Sequence, residues 1–269
     1  MKGKEHYFEY KGAKIHYLEY EGGTENMLCF HGYGQEASYY RPLAKRLRES
    51  YTIYSFDLFY HGKSEWPDCE EALTTDFLAE MILHFLDAHS IKKINLCGYS
   101  LGGKIVLSLS EKLPQLIEKI LLIAPDGIKT NFWYSMATYP YWMRRLFKYS
   151  VKKPALYYSV SKILSKLKFV DKGVIRFAEK QMNTQAKRDK VYCTWLTYRR
   201  LKPDILQLAK VLNDKQIRVQ ICLGVYDRIV SKDSVAPLCN RLRHCNISLL
   251  EKGHNTLISD LAKNQQPIF

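Results

Sequence analysis

A chain of 269 residues, 46% hydrophobic and 25% charged, has the composition of an ordinary globular protein. No stretch reaches the ~18 uninterrupted apolar residues of a membrane span, and the apolar content is too high for a disordered chain. A formal charge of +14 leaves anionic substrates, anionic surfaces and nucleic acid as partners to weigh.

Taken in chain order, YFEYKGAKIHYLEY (7–20) reads as two alternating strands joined at Lys11-Gly12. Short apolar runs follow, MLCFHG, TIYSFD, INLCGYS and KILLIAP, each separated from the next by helical patterns. In TTDFLAEMILHFLDAHS, Phe77, Met81, Ile82, Phe85 and Leu86 recur at helical spacing. This βαβ rhythm predicts a mostly parallel sheet covered by helices. From about 140 to 202 the strands stop, and Leu156, Val160, Ile163, Leu164 and Leu167 form a helical stripe with Lys162, Lys166 and Lys168 largely off it. After 205 the strand rhythm returns with IRVQICLG and NISLLEKG. The expected organisation is an α/β core over 1–125 and 206–269, interrupted by a helical insertion over 126–205. That insertion holds 18 Lys and Arg against 5 Asp and Glu, and 15 of the 35 aromatic residues.

The seven cysteines, at 29, 69, 97, 193, 222, 239 and 245, form no CxxC pair, and several sit inside apolar runs. The pattern predicts reduced, buried thiols rather than a disulfide framework or a zinc site. Together with an N-terminus lacking an apolar signal core, it predicts a cytoplasmic protein. Cys97 neighbours the chemistry described next, but lies in an apolar run where a thiol simply packs.

NLCGYSLGGKIVL (95–107) places Ser100 between Gly98 and Gly102, after an apolar strand and ahead of a helical pattern. G-x-S-x-G alone is a weak signal; strand, sharp turn and helix around it supply the context that a serine nucleophile needs. A serine hydroxyl requires a base, and the base an orienting acid, in the chain order Ser, Asp or Glu, His. Asp227 follows VQICLGVYD and His254 follows NISLLEKGHN; Asp126, in LLIAPDG, competes for the acid's role. Oxyanion donors are expected from the backbone N–H of Leu101 and, in the HGYG loop (31–34), of Tyr33. His31 is expected to brace that loop, and the histidines at 6, 16, 61, 84, 89 and 244 to be surface or packing residues.

HGYG, DLFYHGKS (57–64), GYSLGG, the helical insertion, YD and GHN together resemble the cap-bearing branch of the α/β-hydrolase fold family. The resemblance runs over almost the whole chain and implies an eight-stranded, mostly parallel sheet with helices on both faces. The family pattern D-x-x-G-x-G-x-S meets this sequence at Asp57 to Ser64, where Tyr60 replaces the first glycine; Asp57 and Ser64 are then implied to hold structure. A serine at the elbow sets the chain apart from family members that work through an aspartyl ester. The resemblance further implies that the insertion caps the serine and selects substrate, with Trp133, Tyr139, Trp142, Arg144 and Arg145 as candidate contacts. The plainer reading is a solvated helix face and packed aromatics.

The expected activity is cleavage of a carboxylic ester or thioester through an acyl-enzyme, on a substrate that is anionic or lipid-like, with no metal or organic cofactor. Carbon–carbon bond hydrolysis and the lyase chemistry of menaquinone synthesis use the same triad. A catalytically silent binding protein is the alternative from another class. The basic, aromatic insertion suits peripheral contact with an anionic membrane. No nucleic-acid-binding motif accompanies it.

Overall fold

A computed structural model describes residues 1–129, 132–153, 182–264 and 267–269. Lys11 and Gly12 both take positive φ, 45° and 82°, as a type I′ turn requires, and fold β1 (Lys4–Tyr10) onto β2 (Ala13–Tyr20) as an antiparallel hairpin. The remaining strands are β3 (Glu25–Phe30), β4 (Tyr51–Phe56), β5 (Ile94–Tyr99), β6 (Ile117–Ile123), β7 (Arg218–Gly224) and β8 (Cys245–Leu250). They form one eight-stranded sheet in the order β1-β2-β4-β3-β5-β6-β7-β8. β2 meets β4 antiparallel, and every pairing beyond it is parallel. All six residues of β5 are buried, so both faces of the sheet are covered at its centre, which is why INLCGY is a nearly continuous apolar run rather than an alternating one.

Among the described residues the helices in chain order are α1 (Arg41–Leu47), α2 (Thr75–Ala88), α3 (Leu101–Lys112), α4 (Phe132–Thr138), α5 (Tyr141–Lys152), α6 (Gln185–Thr197), α7 (Ile205–Asp214), α8 (Lys232–Cys239) and α9 (Leu257–Lys263). α2 starts where the Thr74 hydroxyl accepts from the Phe77 amide at 3.1 Å, and it buries Leu78, Met81, Ile82, Phe85 and Leu86. α7 is capped by the Asp204 carboxylate, which takes the Leu206 and Gln207 amides.

The chain divides into two compact units. One comprises Met1–Pro67, Thr74–Lys129 and Leu201–Phe269, and the other Asp68–Leu73 with Thr130–Arg200. Residues 68–73, grouped with the core by sequence pattern, belong to the second unit. The Leu73 amide donates to the Thr197 carbonyl at 2.8 Å, and the Arg199 guanidinium to the Glu70 carbonyl at 2.9 Å. Within this unit Val151, Tyr192 and Leu196 form a buried cluster, with Phe147, Cys69 and Cys193 packed against it. The stripe Leu156, Val160, Ile163, Leu164 and Leu167 lies outside the described residues.

The cysteine expectation needs one correction. Cys239, closing α8, and Cys245, opening β8, are joined in a disulfide. The chain reverses within six residues there, which brings the two Cα atoms to 5.8 Å, inside the bridging range. Cys29, Cys97 and Cys222 are buried free thiols as expected, and burial pushes the Cys222 thiol up to about 12. Among the described residues no helix is long and apolar enough to cross a membrane.

Candidate active site

β5 ends at Tyr99, and the chain turns directly into α3 with Ser100 at φ 49°, ψ −114°, a backbone conformation that costs a non-glycine residue about 1–3 kcal/mol. Three backbone hydrogen bonds hold it there: the Ser100 amide donates to Ile123, and its carbonyl accepts from Gly103 and Asp126, at 3.0, 2.8 and 2.8 Å. The glycines are steric necessities. A methyl on Gly102 would sit 1.9 Å from the Phe30 carbonyl oxygen, and one on Gly98 2.6 Å from the Gly102 oxygen.

The loops after β7 and β8 bring in the other two residues. His254 Nε2 lies 3.1 Å from Ser100 Oγ, and Nδ1 lies 2.6 Å from Asp227 Oδ2. Asp227 Oδ1 accepts the Ile229 and Val230 amides at 2.8 and 3.0 Å. Burial works to raise the Asp227 carboxyl, but the hydrogen bond and charge of His254, with those two amides, outweigh it and leave the group below its ordinary value. A carboxylate at Nδ1 fixes the proton on that nitrogen, so Nε2 offers its lone pair to the serine hydroxyl. The competing acid, Asp126, has other partners: its carboxylate accepts the Gly127 amide and lies 3.8 Å from the buried Lys104 ammonium.

The HGYG loop lies against the elbow. A methyl built on Gly32 would be 3.2 Å from Ser100 Cβ and 2.8 Å from the Tyr99 ring, so the Tyr33 backbone, one residue on, runs beside Ser100. Leu101 is the first residue of α3, where a helix N–H has no partner within the helix. His31 is fully buried, with Nδ1 2.8 Å from the Gly32 carbonyl and Nε2 accepting the Leu58 amide at 3.1 Å, which ties this loop to the one after β4.

Two supports were not legible as such. The Tyr99 hydroxyl donates to the His254 carbonyl at 2.6 Å, and the two rings lie 5.1 Å apart, so the residue before Ser100 also holds the loop that carries His254. His16, expected to be a surface or packing residue, is buried with Nδ1 2.6 Å from Asp57 Oδ2. Asp57 also accepts the Ala37 and Lys63 amides at 2.6 and 2.8 Å. Ser64 accepts the His16 amide, so Asp57 and Ser64 hold structure. Tyr60 takes a positive φ, 64°, a backbone conformation that ordinarily favours glycine.

The candidate substrate contacts all fall in the second unit. Trp133 lies in α4 and Tyr139 just after it, the latter donating its hydroxyl to the Arg199 carbonyl at 2.7 Å. Trp142, Arg144 and Arg145 lie on α5, where both guanidinium groups approach the Tyr141 ring, at 5.8 and 5.7 Å.

A mostly parallel sheet, a strained serine at the end of its central strand and a histidine and aspartate on two later loops define an α/β-fold protein with a sharp strand-to-helix turn at that serine. The alpha/beta hydrolase fold model matches residues 25–260, and the chain belongs to that family. An uncharacterized hydrolase of Bacillus subtilis, YugF, is 31% identical over 105 residues, 39% of this chain and 38% of YugF. The match therefore spans about two fifths of that relative's length. Among solved structures, a thermophilic esterase from Thermogutta terrifontis superposes with TM-score 0.69 at 14% identity, covering 97% of this chain and 94% of the esterase. The 2-hydroxy-6-oxo-6-phenylhexa-2,4-dienoate hydrolase of a Rhodococcus strain gives 0.65 at 20% identity, covering 97% and 96%. At such identities the likeness is one of fold.

Proposed function

We propose that the protein is a serine hydrolase that cleaves a carboxylic ester or thioester through an acyl-enzyme. The observation that carries the reading is the continuous hydrogen-bonded chain from Ser100 Oγ through His254 to Asp227, 3.1 and 2.6 Å, on the family's elbow. Ser100 Oγ attacks the carbonyl carbon as His254 Nε2 takes its proton, and the carbonyl π pair moves onto oxygen. The Tyr33 and Leu101 amides are assigned to that oxyanion. Collapse expels the alcohol or thiol, which leaves with the proton from Nε2. Water then attacks the acyl-serine with His254 again as base, releasing the acid and restoring Ser100. Asp227 orients the imidazole and stabilises its charged form.

The basic charge of residues 126–205 supports an anionic or lipid-like substrate, since clustered cations raise the local concentration of anions. The same charge would suit the anionic substrates of carbon–carbon bond hydrolysis or of a menaquinone-type lyase, which need no other triad.

The test is a screen of p-nitrophenyl esters of graded acyl length beside acyl-CoA thioesters, with Ser100→Ala as the blank. Expected are turnover by the wild type, loss of about 10³-fold or more in the variant, and fluorophosphonate labelling of Ser100 only. Absence of labelling in the folded wild type would leave a silent binding protein as the better reading. Cleavage of a vinylogous 1,5-diketone with esters untouched would move the assignment to carbon–carbon bonds.

A further inference from the structure

α5 has two apolar sides. Phe147 and Val151 turn toward α6, where Val151 joins the cluster of Tyr192 and Leu196 and the Phe147 ring lies 5.2 Å from that of Tyr192. Trp142, Leu146 and Tyr149, at spacing i, i+4 and i+7, share the opposite side and stand 64, 49 and 54% exposed. Tyr141 at the helix start is 65% exposed. Single exposed apolar residues are commonplace, but four on one 12-residue helix form a patch that calls for an occupant.

Charge identifies it. α5 contains no acid, and from Gly127 to Val170 the sequence holds nine Lys and Arg and not one Asp or Glu. Arg145, Lys152 and Lys153 are exposed, and Arg145 and Lys152 lie three and ten positions beyond Trp142, on the same stripe. Trp, Tyr and Leu on one stripe with Arg and Lys beside them is the pattern of a helix that lies in the headgroup layer. The helix is about 18 Å long, too short to span a bilayer and suited to lying in its plane. Nucleic acid would also meet the charge, but Leu146 at the middle of the stripe gives a base nothing to stack on, whereas an acyl chain accepts it.

We propose that α5 docks on anionic bilayers, with Trp142, Leu146 and Tyr149 entering the boundary between headgroups and acyl chains and Arg145, Lys152 and Lys153 meeting the charged groups of phospholipids. This surface does not depend on the hydrolase reading. A Ser100→Ala chain binds as the wild type does, so loss of catalysis and loss of docking are separate results.

The experiment is co-sedimentation of the full chain with vesicles of phosphatidylcholine alone or with about 30 mol% phosphatidylserine. Expected is partitioning onto the anionic vesicles about tenfold above the neutral ones, falling as salt shortens the Debye length. Leu146→Ser/Tyr149→Ser lowers it about tenfold, and Lys152→Gln/Lys153→Gln by about fivefold per cation removed. Circular dichroism of the variants shows an unchanged fold, because all four side chains are exposed. Equal binding to neutral and anionic vesicles, binding to neither, or variants that partition like the wild type would overturn the proposal. So would a polythymidylate strand that competes fully with anionic vesicles while Leu146→Ser/Tyr149→Ser leaves its binding intact, which points to nucleic acid instead.

Discussion

Tyr99 does two things that its place in the G-x-S-x-G pattern does not reveal: its backbone leads into the strained Ser100, and its hydroxyl holds the His254 carbonyl 2.6 Å away. Tyr99→Phe keeps the ring against the imidazole and removes only that bond, worth about 1 kcal/mol. The expected outcome is a kcat lower by about fivefold to tenfold with KM nearly unchanged, read from initial rates on a short p-nitrophenyl ester. Asp227→Asn is more severe. It sets the wrong imidazole tautomer, and kcat should fall by about 10⁴-fold, as in triads generally. A linked effect reaches stability. The Asp227 carboxyl is lowered in the folded chain, so its contribution is complete above the ordinary carboxylate pKa of about 3.9 and is lost as pH falls through the folded value. Urea midpoints should therefore differ most between wild type and Asp227→Asn at neutral pH, with the gap narrowing below about pH 4. Ser100, Asp227 and His254, which the structure brings within hydrogen-bond reach of one another, could be picked out as a set because strand ends and chain order locate them. His16 was not: its partner Asp57 is 41 positions away, and only the register of β2 against β4 brings the two together.

At the level of elements, the elbow works because three pieces of backbone meet where no side chain fits. A methyl on Gly102 would strike the Phe30 carbonyl at 1.9 Å, and its next neighbour is the His31 carbonyl at 2.8 Å. Neither is a flexible side-chain end, so Gly102→Ala must displace either α3 or the HGYG loop. The expected cost is about 3 kcal/mol, the upper end for overpacking, seen as a lower urea midpoint, and the survivors should hydrolyse esters poorly because the Tyr33 amide, proposed to hold the oxyanion, moves with that loop. Sequence patterning found the hairpin and the parallel strands because buried runs and the Lys11-Gly12 turn are strong local signals. It missed α8 and α9, which have eight and seven residues and show barely two turns of periodicity. It also missed the bond between Cys239 and Cys245, since spacing says nothing about a reversal at the end of α8. Thiol titration of the unfolded, unreduced chain should count five free cysteines, rising to seven after reduction. Closing so short a loop stabilises by about 2 kcal/mol in the chain-entropy picture, so the reduced protein should melt several degrees lower.

For the whole molecule the decisive quantity is where the charge sits. Residues 126–205 carry a formal +13 of the total +14, which leaves the other 189 residues almost neutral. Ser100, Asp227 and His254 belong to that nearly neutral part of the sequence, and a neutral ester gains nothing from long-range attraction. An anionic substrate of the kind proposed would, because a cluster of cations raises the local concentration and the association rate of anions. Screening acts on the second case alone, with a Debye length of about 10 Å at 0.1 M salt and about 3 Å at 1 M. Comparing kcat/KM for an acyl-CoA thioester and a p-nitrophenyl ester of equal acyl length across that range separates the two. The thioester should lose about tenfold or more and the neutral ester should stay flat, with the salt dependence residing in KM rather than kcat. A parallel fall for both substrates would mean that salt acts on the catalytic groups themselves. Flat profiles for both would mean that the charge of residues 126–205 serves a surface and not the substrate, leaving vesicle binding by α5 as its remaining role.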